Sequence, residues 1–173
     1  NATGKSNLFD AISFLSHLAD RSLLDAALSV RDEGGKTSDL RAIFHRTGEH
    51  YDTEMSLAAE FIIPWTGTDD LGQDAQASIT FLRYELVLGL RPGDTVSPFG
   101  PIEIRREELR HIQLGKAHEH LLFPHSANAW RKSVVRGRRS AKHLISTSED
   151  GKAVRIHADS GSDSGGHRDG HLD

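Results

Sequence analysis

The tripeptide Gly4-Lys5-Ser6, followed by a long helical pattern, is the feature that most constrains what this chain can fold into. It fills the last three positions of the phosphate-binding pattern G-x-x-x-x-G-K-[ST], and Asn1-Ala2-Thr3 fill the variable positions before it. Beyond Ser6, apolar residues recur every three or four positions, which predicts a helix buried against a sheet. These residues are Leu8, Ala11, Ile12, Leu15, Leu18 and Ala19, widened by Phe9 and Phe14.

The residue types in this segment suit phosphate chemistry. Small residues and a glycine let successive backbone N–H groups turn toward phosphate oxygens, and a helix that begins there adds its positive end. A lysine at position 5 supplies a charge for the β- and γ-phosphates, and a hydroxyl at position 6 reaches Mg²⁺. We therefore predict a phosphate site at residues 1–7, with Lys5 as the catalytic cation and Ser6 as the metal ligand. The predicted binding residues are Asn1, Ala2, Thr3, Gly4, Lys5, Ser6 and Asn7.

The first fifteen residues resemble one branch of the P-loop proteins, the ABC-type ATPase heads of the SMC, RecF and OLD-nuclease group, which includes many predicted AAA ATPases. That group carries the pattern G-x-N-x-[ST]-G-K-[ST]-N-[LF]-x-[DE]-A-[IL]. The matching residues are Asn1, Gly4, Lys5, Ser6, Asn7, Leu8, Asp10, Ala11 and Ile12. The resemblance implies an α/β fold, ATP and Mg²⁺ as cofactors, hydrolysis between two heads of a homodimer, and action on DNA.

Other elements of that group are not found in this sequence. There is no apolar strand ending in Asp-Glu, no Ser-Gly-Gly signature and no histidine in the switch position after a strand. We therefore expect a fragment, the amino-terminal lobe of a head, that lacks a central strand before Asn1 and is not active alone. On this interpretation residues 1–157 form a partial ATP-binding domain of α+β character and residues 158–173 a flexible polar tail. Such a piece would be poorly stable or poorly soluble by itself.

The rest of the chain changes from helical to alternating patterns. Ser22 and Asp25 predict the start of a second helix, Leu23 to Val30. A short helix, or alternatively a strand, is expected over Leu40–His45. Alternation at 54–63 and 81–90 predicts an antiparallel hairpin, separated by a polar loop at 65–77. Further strands are expected at 102–104, 119–123, 143–147 and 153–157.

Composition excludes several classes of protein. The 173 residues carry a net charge of −4 and no cysteine, so a disulfide scaffold, a zinc-thiolate site and a cysteine nucleophile are ruled out. No apolar run is long enough to span a bilayer, and no signal peptide is recognisable. These absences favour a cytoplasmic protein without membrane partners.

Two further groups of residues are candidates for binding. A basic stretch next to Trp130 suits contact with nucleic-acid phosphates, although a solvated charged face is the alternative; it contains Arg131, Lys132, Arg136, Arg138, Arg139 and Lys142. A His-x-His pair on a strand would place two rings on one face, as a metal site needs, although ordinary surface histidines are the alternative. That cluster contains His111, His118, His120 and His125.

Two other interpretations of the chain stay open. One is a P-loop kinase or NTPase of another type. The other is a nucleic-acid-binding module whose loop is degenerate. By resemblance to some members of the ABC-type group, Arg31 and Arg41 are candidates for contact with nucleotide phosphates, and surface ion pairs are the alternative.

Overall fold

The computed structural model describes residues 3–30, 40–68, 71–91, 100–137, 143–148 and 153–157, with side chains from residue 6 onward. It shows a mixed α/β fold in which the sheets are antiparallel. The α-helices are α1 (Thr3–Leu18), α2 (Leu23–Ser29), α3 (Ala117–His120) and α4 (Lys132–Val134). Single tighter or wider turns of helix occur at Leu40–Ile43, Leu114–Lys116 and Ala127–Arg131.

The strands form one large sheet and two small hairpins in the described part of the chain. The large sheet has five strands in the order β3-β6-β7-β8-β9, each antiparallel to its neighbour. The hairpins pair β1 with β2 and β4 with β5. The bounds are β1 Arg46–Thr47, β2 His50–Tyr51, β3 Glu54–Ile62, β4 Thr66–Thr68, β5 Asp74–Gln76, β6 Phe81–Leu90, β7 Ile102–His111, β8 His143–Thr147 and β9 Val154–Ile156.

The centre of the fold is β6, which pairs with β3 on one side and β7 on the other. Its alternating pattern places Leu86 and Leu88 on the covered face, where they are 1% and 0% exposed. Leu57 and Met55 of β3 lie directly opposite them. The predicted hairpin of 54–63 with 81–90 is thereby confirmed.

Helices α1 and α2 cover this apolar face. Phe14 of α1 and Ala26 of α2 are buried in the same cluster as Leu86. The second helix begins where the sequence predicts, because the Ser22 hydroxyl accepts a hydrogen bond from the backbone N–H of Asp25 at 3.2 Å. The main core therefore lies between two helices and one face of the sheet.

A smaller core closes the end of the sheet where β6 begins. Phe81, Ile112, Leu121 and Val135 pack together there. Thr80 is fully buried beside them and links β6 to the end of α4: its hydroxyl donates to the Val134 carbonyl at 2.7 Å and accepts from the Arg136 N–H at 2.8 Å. The segment after β7 is thus fixed to the sheet by packing and by a buried polar link.

The sequence predicts that the apolar residues of α1 are buried, and for Leu8, Phe9 and Ile12 this is wrong in the described structure. Leu8, Phe9 and Ile12 are 60%, 68% and 55% exposed, whereas Phe14 is 3% exposed. The helix contacts α2 and the core through its Phe14 side, and no described residue covers the opposite apolar side. Periodicity identified the helix but not which apolar side chains it buries.

Other predictions need smaller corrections. The expected polar loop at 65–77 contains the β4–β5 hairpin, and the third strand extends beyond 102–104 to His111. The strand expected at 119–123 is wrong, because α3 occupies the start of that segment. The short helical turn at Leu40–Ile43 and strands β8 and β9 agree with expectation. The tail 158–173 lies outside the described residues.

Among the described residues, no helix combines the length and the apolar character that crossing a membrane requires.

Candidate functional site

The amino end of α1 is the first element of the site. The helix begins at Thr3, so Gly4-Lys5-Ser6 lies in its first turns. The first N–H groups of any helix have no acceptor within it, and no acidic side chain occupies the first turn of α1. This leaves a positive helix end available to an external anion. Asn1, Ala2 and the side chains of residues 3–5 lie outside the described part.

Ser6 and Asn7 are the first residues of the predicted loop whose side chains are described, and both are exposed. Asn7 also lines a cavity of about 580 Å³ beside α1, which we call the helix cavity. Asp10 and Phe14 line it from the same helix, and Leu57 lines it from β3. The cavity therefore extends from the end of the predicted phosphate loop to the apolar face of the sheet.

A tyrosine flanked by two arginines stands at the side of the helix cavity. Tyr51 of β2 and Arg46 of β1 both line it. The guanidinium carbons of Arg41 and Arg46 lie 5.3 and 5.5 Å from the centre of the Tyr51 ring, which is cation–π distance. The tight turn between β1 and β2 needs the positive φ of Gly48, 63°, and it pairs Arg46 with Tyr51 across the two strands.

Sequence reasoning identified Arg41 but missed Arg46 and Tyr51. The signal available was the Gly48 turn between two short polar segments, which is weak because both strands have only two residues. Arg31, the other arginine proposed for phosphate contact, lies outside the described residues.

The histidine cluster does not form the candidate metal site in the part of the chain that the structure describes. His118 and His120 lie on α3 and not on a strand, and residues two apart on a helix do not face the same way. His120 Nδ1 lies 2.9 Å from Glu60 Oε1, and His125 Nδ1 lies 2.8 Å from the Phe123 carbonyl oxygen. No group of three or more metal-ligating side chains is found in the residues that the structure describes.

The basic stretch is only partly described. Arg131 lies at the end of the wide helical turn and Lys132 begins α4, while Arg138, Arg139 and Lys142 lie outside the described residues. Arg136 stacks on Trp65, with 3.8 Å between the guanidinium carbon and the ring centre.

An exposed aromatic cluster lies next to these charges. Trp130 contacts Phe123 edge-to-face, with 5.1 Å between ring centres, and both contact His125. The structure adds Phe123 as a neighbour of Trp130 and Trp65 as a neighbour of Arg136.

The other face of the sheet carries a network of ion pairs. Arg83 Nε donates to Glu85 at 2.6 Å, and Arg83 Nη1 donates to Glu60 at the same distance. Burial acts to raise the pKa of Glu60, but hydrogen bonds from Arg83 and His120 hold it below its ordinary value. The hydrogen bond from Arg83 likewise lowers the pKa of Glu85 against the opposing effect of burial. These carboxylates therefore stay ionised as structural partners of Arg83.

Comparison with known proteins adds no relative: no protein-family model, no curated protein and no solved structure matches the chain.

Proposed function

We propose that this chain binds ATP with Mg²⁺ at the amino end of α1. The observation that carries the proposal is that the motif Gly4-Lys5-Ser6 falls at the start of a 16-residue helix. A chance occurrence of the tripeptide would have no reason to coincide with a helix start whose first turn is free of carboxylates.

Each part of the segment 2–7 has its own role in binding the nucleotide. The backbone N–H groups of residues 2–7 donate to phosphate oxygens, and the Lys5 ammonium pairs with the β- and γ-phosphates. The exposed Ser6 hydroxyl is a hard oxygen donor of the kind that Mg²⁺ prefers, and phosphate oxygens and water would complete the coordination. Bound Mg²⁺ supplies neutralisation of phosphate charge.

The helix cavity supports the proposal from the side of the nucleoside. Its volume of about 580 Å³ is within the range typical of small-molecule sites. Phe14, Leu57 and the ring of Tyr51 line it with apolar surface. Asn7 and Asp10 line it with polar groups near the phosphate loop. This is the mixture of apolar wall and few polar groups that a heterocyclic base needs.

The resemblance to ABC-type heads extends the same proposal. It assigns ATP hydrolysis to two heads of a homodimer, with γ-phosphate contacts favouring the closed pair. Binding at α1 is the step that this chain's own residues would perform.

The test is binding of a fluorescent ATP analogue to the full 173-residue chain and its Lys5→Ala variant. Loss of one charged partner of a phosphate costs a factor of roughly 10 to 100 in affinity. Lys132→Ala, at the start of α4, is the matched control and should bind like the unaltered chain. Equal binding by Lys5→Ala and the control would refute the assignment.

A second candidate function is binding of single-stranded nucleic acid, favoured by the exposed aromatic cluster beside the basic stretch. Trp130 and Phe123 offer faces for base stacking, and Arg131 and Lys132 offer charges for phosphates. Filter binding at low and high salt tests it: retention of labelled oligonucleotide should fall as salt rises and should fall further in Trp130→Ala. Absence of salt-dependent retention would end this candidate.

A further inference from the structure

A second cavity, of about 280 Å³, lies on the other face of the five-stranded sheet, and we call it the histidine cavity. Arg83 of β6 and Arg110 of β7 line it from the sheet, Lys116 and His120 from the segment after β7, and His143 from β8. Side chains alternate between the two faces of a strand, and Leu86 and Leu88 of β6 face the helices. The histidine cavity is thus separated from the helix cavity by the sheet itself.

Two arginines lie directly opposite each other at this cavity. Arg83 and Arg110 are cross-strand partners in the register of β6 and β7. Like charges in this position repel unless something compensates them. Arg83 is compensated by Glu60 and Glu85, each at 2.6 Å.

Arg110 is compensated much less. Its ion pair in the described residues is with Glu85, at 3.4 Å through a single nitrogen, and that carboxylate is already held by Arg83. A guanidinium has five N–H donors, so most of those on Arg110 remain for another acceptor. The side chain of Arg110 is 45% exposed, which leaves it reachable from solvent.

Lys116 adds a charge without a partner in the described part of the chain. It lies at the end of the helical turn Leu114–Lys116 and forms no ion pair with any described carboxylate. Glu119 is the one carboxylate among the described residues lining the cavity, and its side chain is 59% exposed. The cavity therefore presents many nitrogen donors and few acceptors.

We propose that the histidine cavity binds a phosphate monoester. A compact dianion matches the two poorly compensated charges of Arg110 and Lys116, and the rings of His120 and His143 lie in the same lining as further nitrogen groups. The volume of about 280 Å³ accommodates a phosphate and part of the group attached to it. The same chemistry is offered by a small phosphorylated metabolite and by the 5′ end of a nucleic acid. The proposal does not depend on ATP binding at α1.

The experiment is a titration of the full chain followed by the NMR signals of histidine ring protons. The probes are inorganic phosphate, methyl phosphate, dimethyl phosphate, and a trinucleotide with and without a 5′-phosphate. Saturable shifts of His120 and His143 are expected with inorganic phosphate, methyl phosphate and the phosphorylated trinucleotide. His17, in the last turn of α1, should stay unchanged.

Variants test whether Arg110 and Lys116 hold the bound phosphate. Arg110→Gln and Lys116→Gln should each weaken methyl phosphate binding by about tenfold or more. Arg21→Gln, just beyond the end of α1, removes one exposed charge elsewhere and should leave it unchanged. Preference for the phosphorylated trinucleotide over methyl phosphate would identify a nucleic-acid end as the ligand. Equal affinity for these two probes would identify a small metabolite. Equal binding of dimethyl phosphate, unchanged affinity in both cavity variants, or no shift of His120 and His143 would overturn the proposal.

Discussion

Helix α1 and strand β6 are both predicted from apolar periodicity, yet they are buried very differently. Leu86 and Leu88 of β6 are 1% and 0% exposed, whereas Leu8 and Ile12 of α1 are 60% and 55% exposed. Strand β6 has a paired strand on each side and helices over one face. Among the described residues, helix α1 packs through the side that carries Phe14. An apolar stripe therefore reveals which face can be buried, and burial itself depends on a second surface being present.

The largest expected effect is the loss of stability when a buried side chain of β6 is shortened, and the same kind of change on α1 serves as the comparison. Leu88→Ala leaves a cavity in the main core and should lower the free energy of unfolding by about 2–5 kcal/mol. Ile12→Ala removes a side chain that is mostly in water and should cost below about 1 kcal/mol. Urea unfolding followed by circular dichroism measures both.

Equal losses in the two variants would break the comparison, because they would show that the outer face of α1 is covered in solution. Repeating the unfolding at several protein concentrations would then tell whether a second copy covers it.

The next largest effect concerns the polar link in the smaller core. Thr80→Val keeps the shape of the side chain but leaves the Val134 carbonyl and the Arg136 N–H without their partner. Such buried unpaired groups cost about 1–3 kcal/mol. Thr66→Val, at an exposed position of β4, is the control and should change stability little. A Thr80→Val protein as stable as the control in urea would contradict this account.

Much of the sheet and its helices follows from the sequence. Alternation over 54–63 and 81–90 identified β3 and β6 because each has one apolar face, and the Ser22 cap identified the start of α2. The later part of β7 was missed, since Arg105 to Arg110 is a charged run that pairs with β6 through backbone hydrogen bonds and ion pairs instead of an apolar face.

Local sequence patterns fail to predict the structure where contacts between distant segments determine it. The sequence predicts a strand over 119–123, but Leu121 closes the smaller core after α3 while Leu122 is 89% exposed. The β4–β5 hairpin has no apolar alternation to signal it, since every position is exposed. In the candidate site, the motif identifies Gly4-Lys5-Ser6, but Tyr51 and Arg46 reach the helix cavity only through the folding of a distant hairpin.

A smaller effect is expected on acidification. Glu85 has a lowered pKa in the folded protein, mainly through its hydrogen bond from Arg83, so its contribution to stability is present above its ordinary value of 4.5 and is lost as pH falls through the lowered value. Glu85→Gln cannot titrate and should show a flatter loss of stability at acid pH. Thermal unfolding of both proteins across that range measures the difference, and parallel curves would contradict the assignment.

The smallest effect on stability is expected at the exposed face of α1. Phe9→Gln replaces a side chain that is 68% exposed with a good helix former and should change the free energy of unfolding by no more than about 0.5 kcal/mol. The same change should reduce self-association, because it removes part of an apolar patch. Dynamic light scattering at rising protein concentration tests this. If the unaltered chain aggregates and Phe9→Gln gives the same particle size, the apolar patch is not responsible.

The measurement that tests the central claim most directly is an amide NMR titration of the full chain with Mg²⁺ and ATP. The account predicts saturable shifts at the backbone N–H groups of Gly4, Lys5 and Ser6, lost in Lys5→Ala and retained in Lys132→Ala. Shifts confined to residues around Arg110 and Lys116, or none at all, would contradict nucleotide binding at the start of α1.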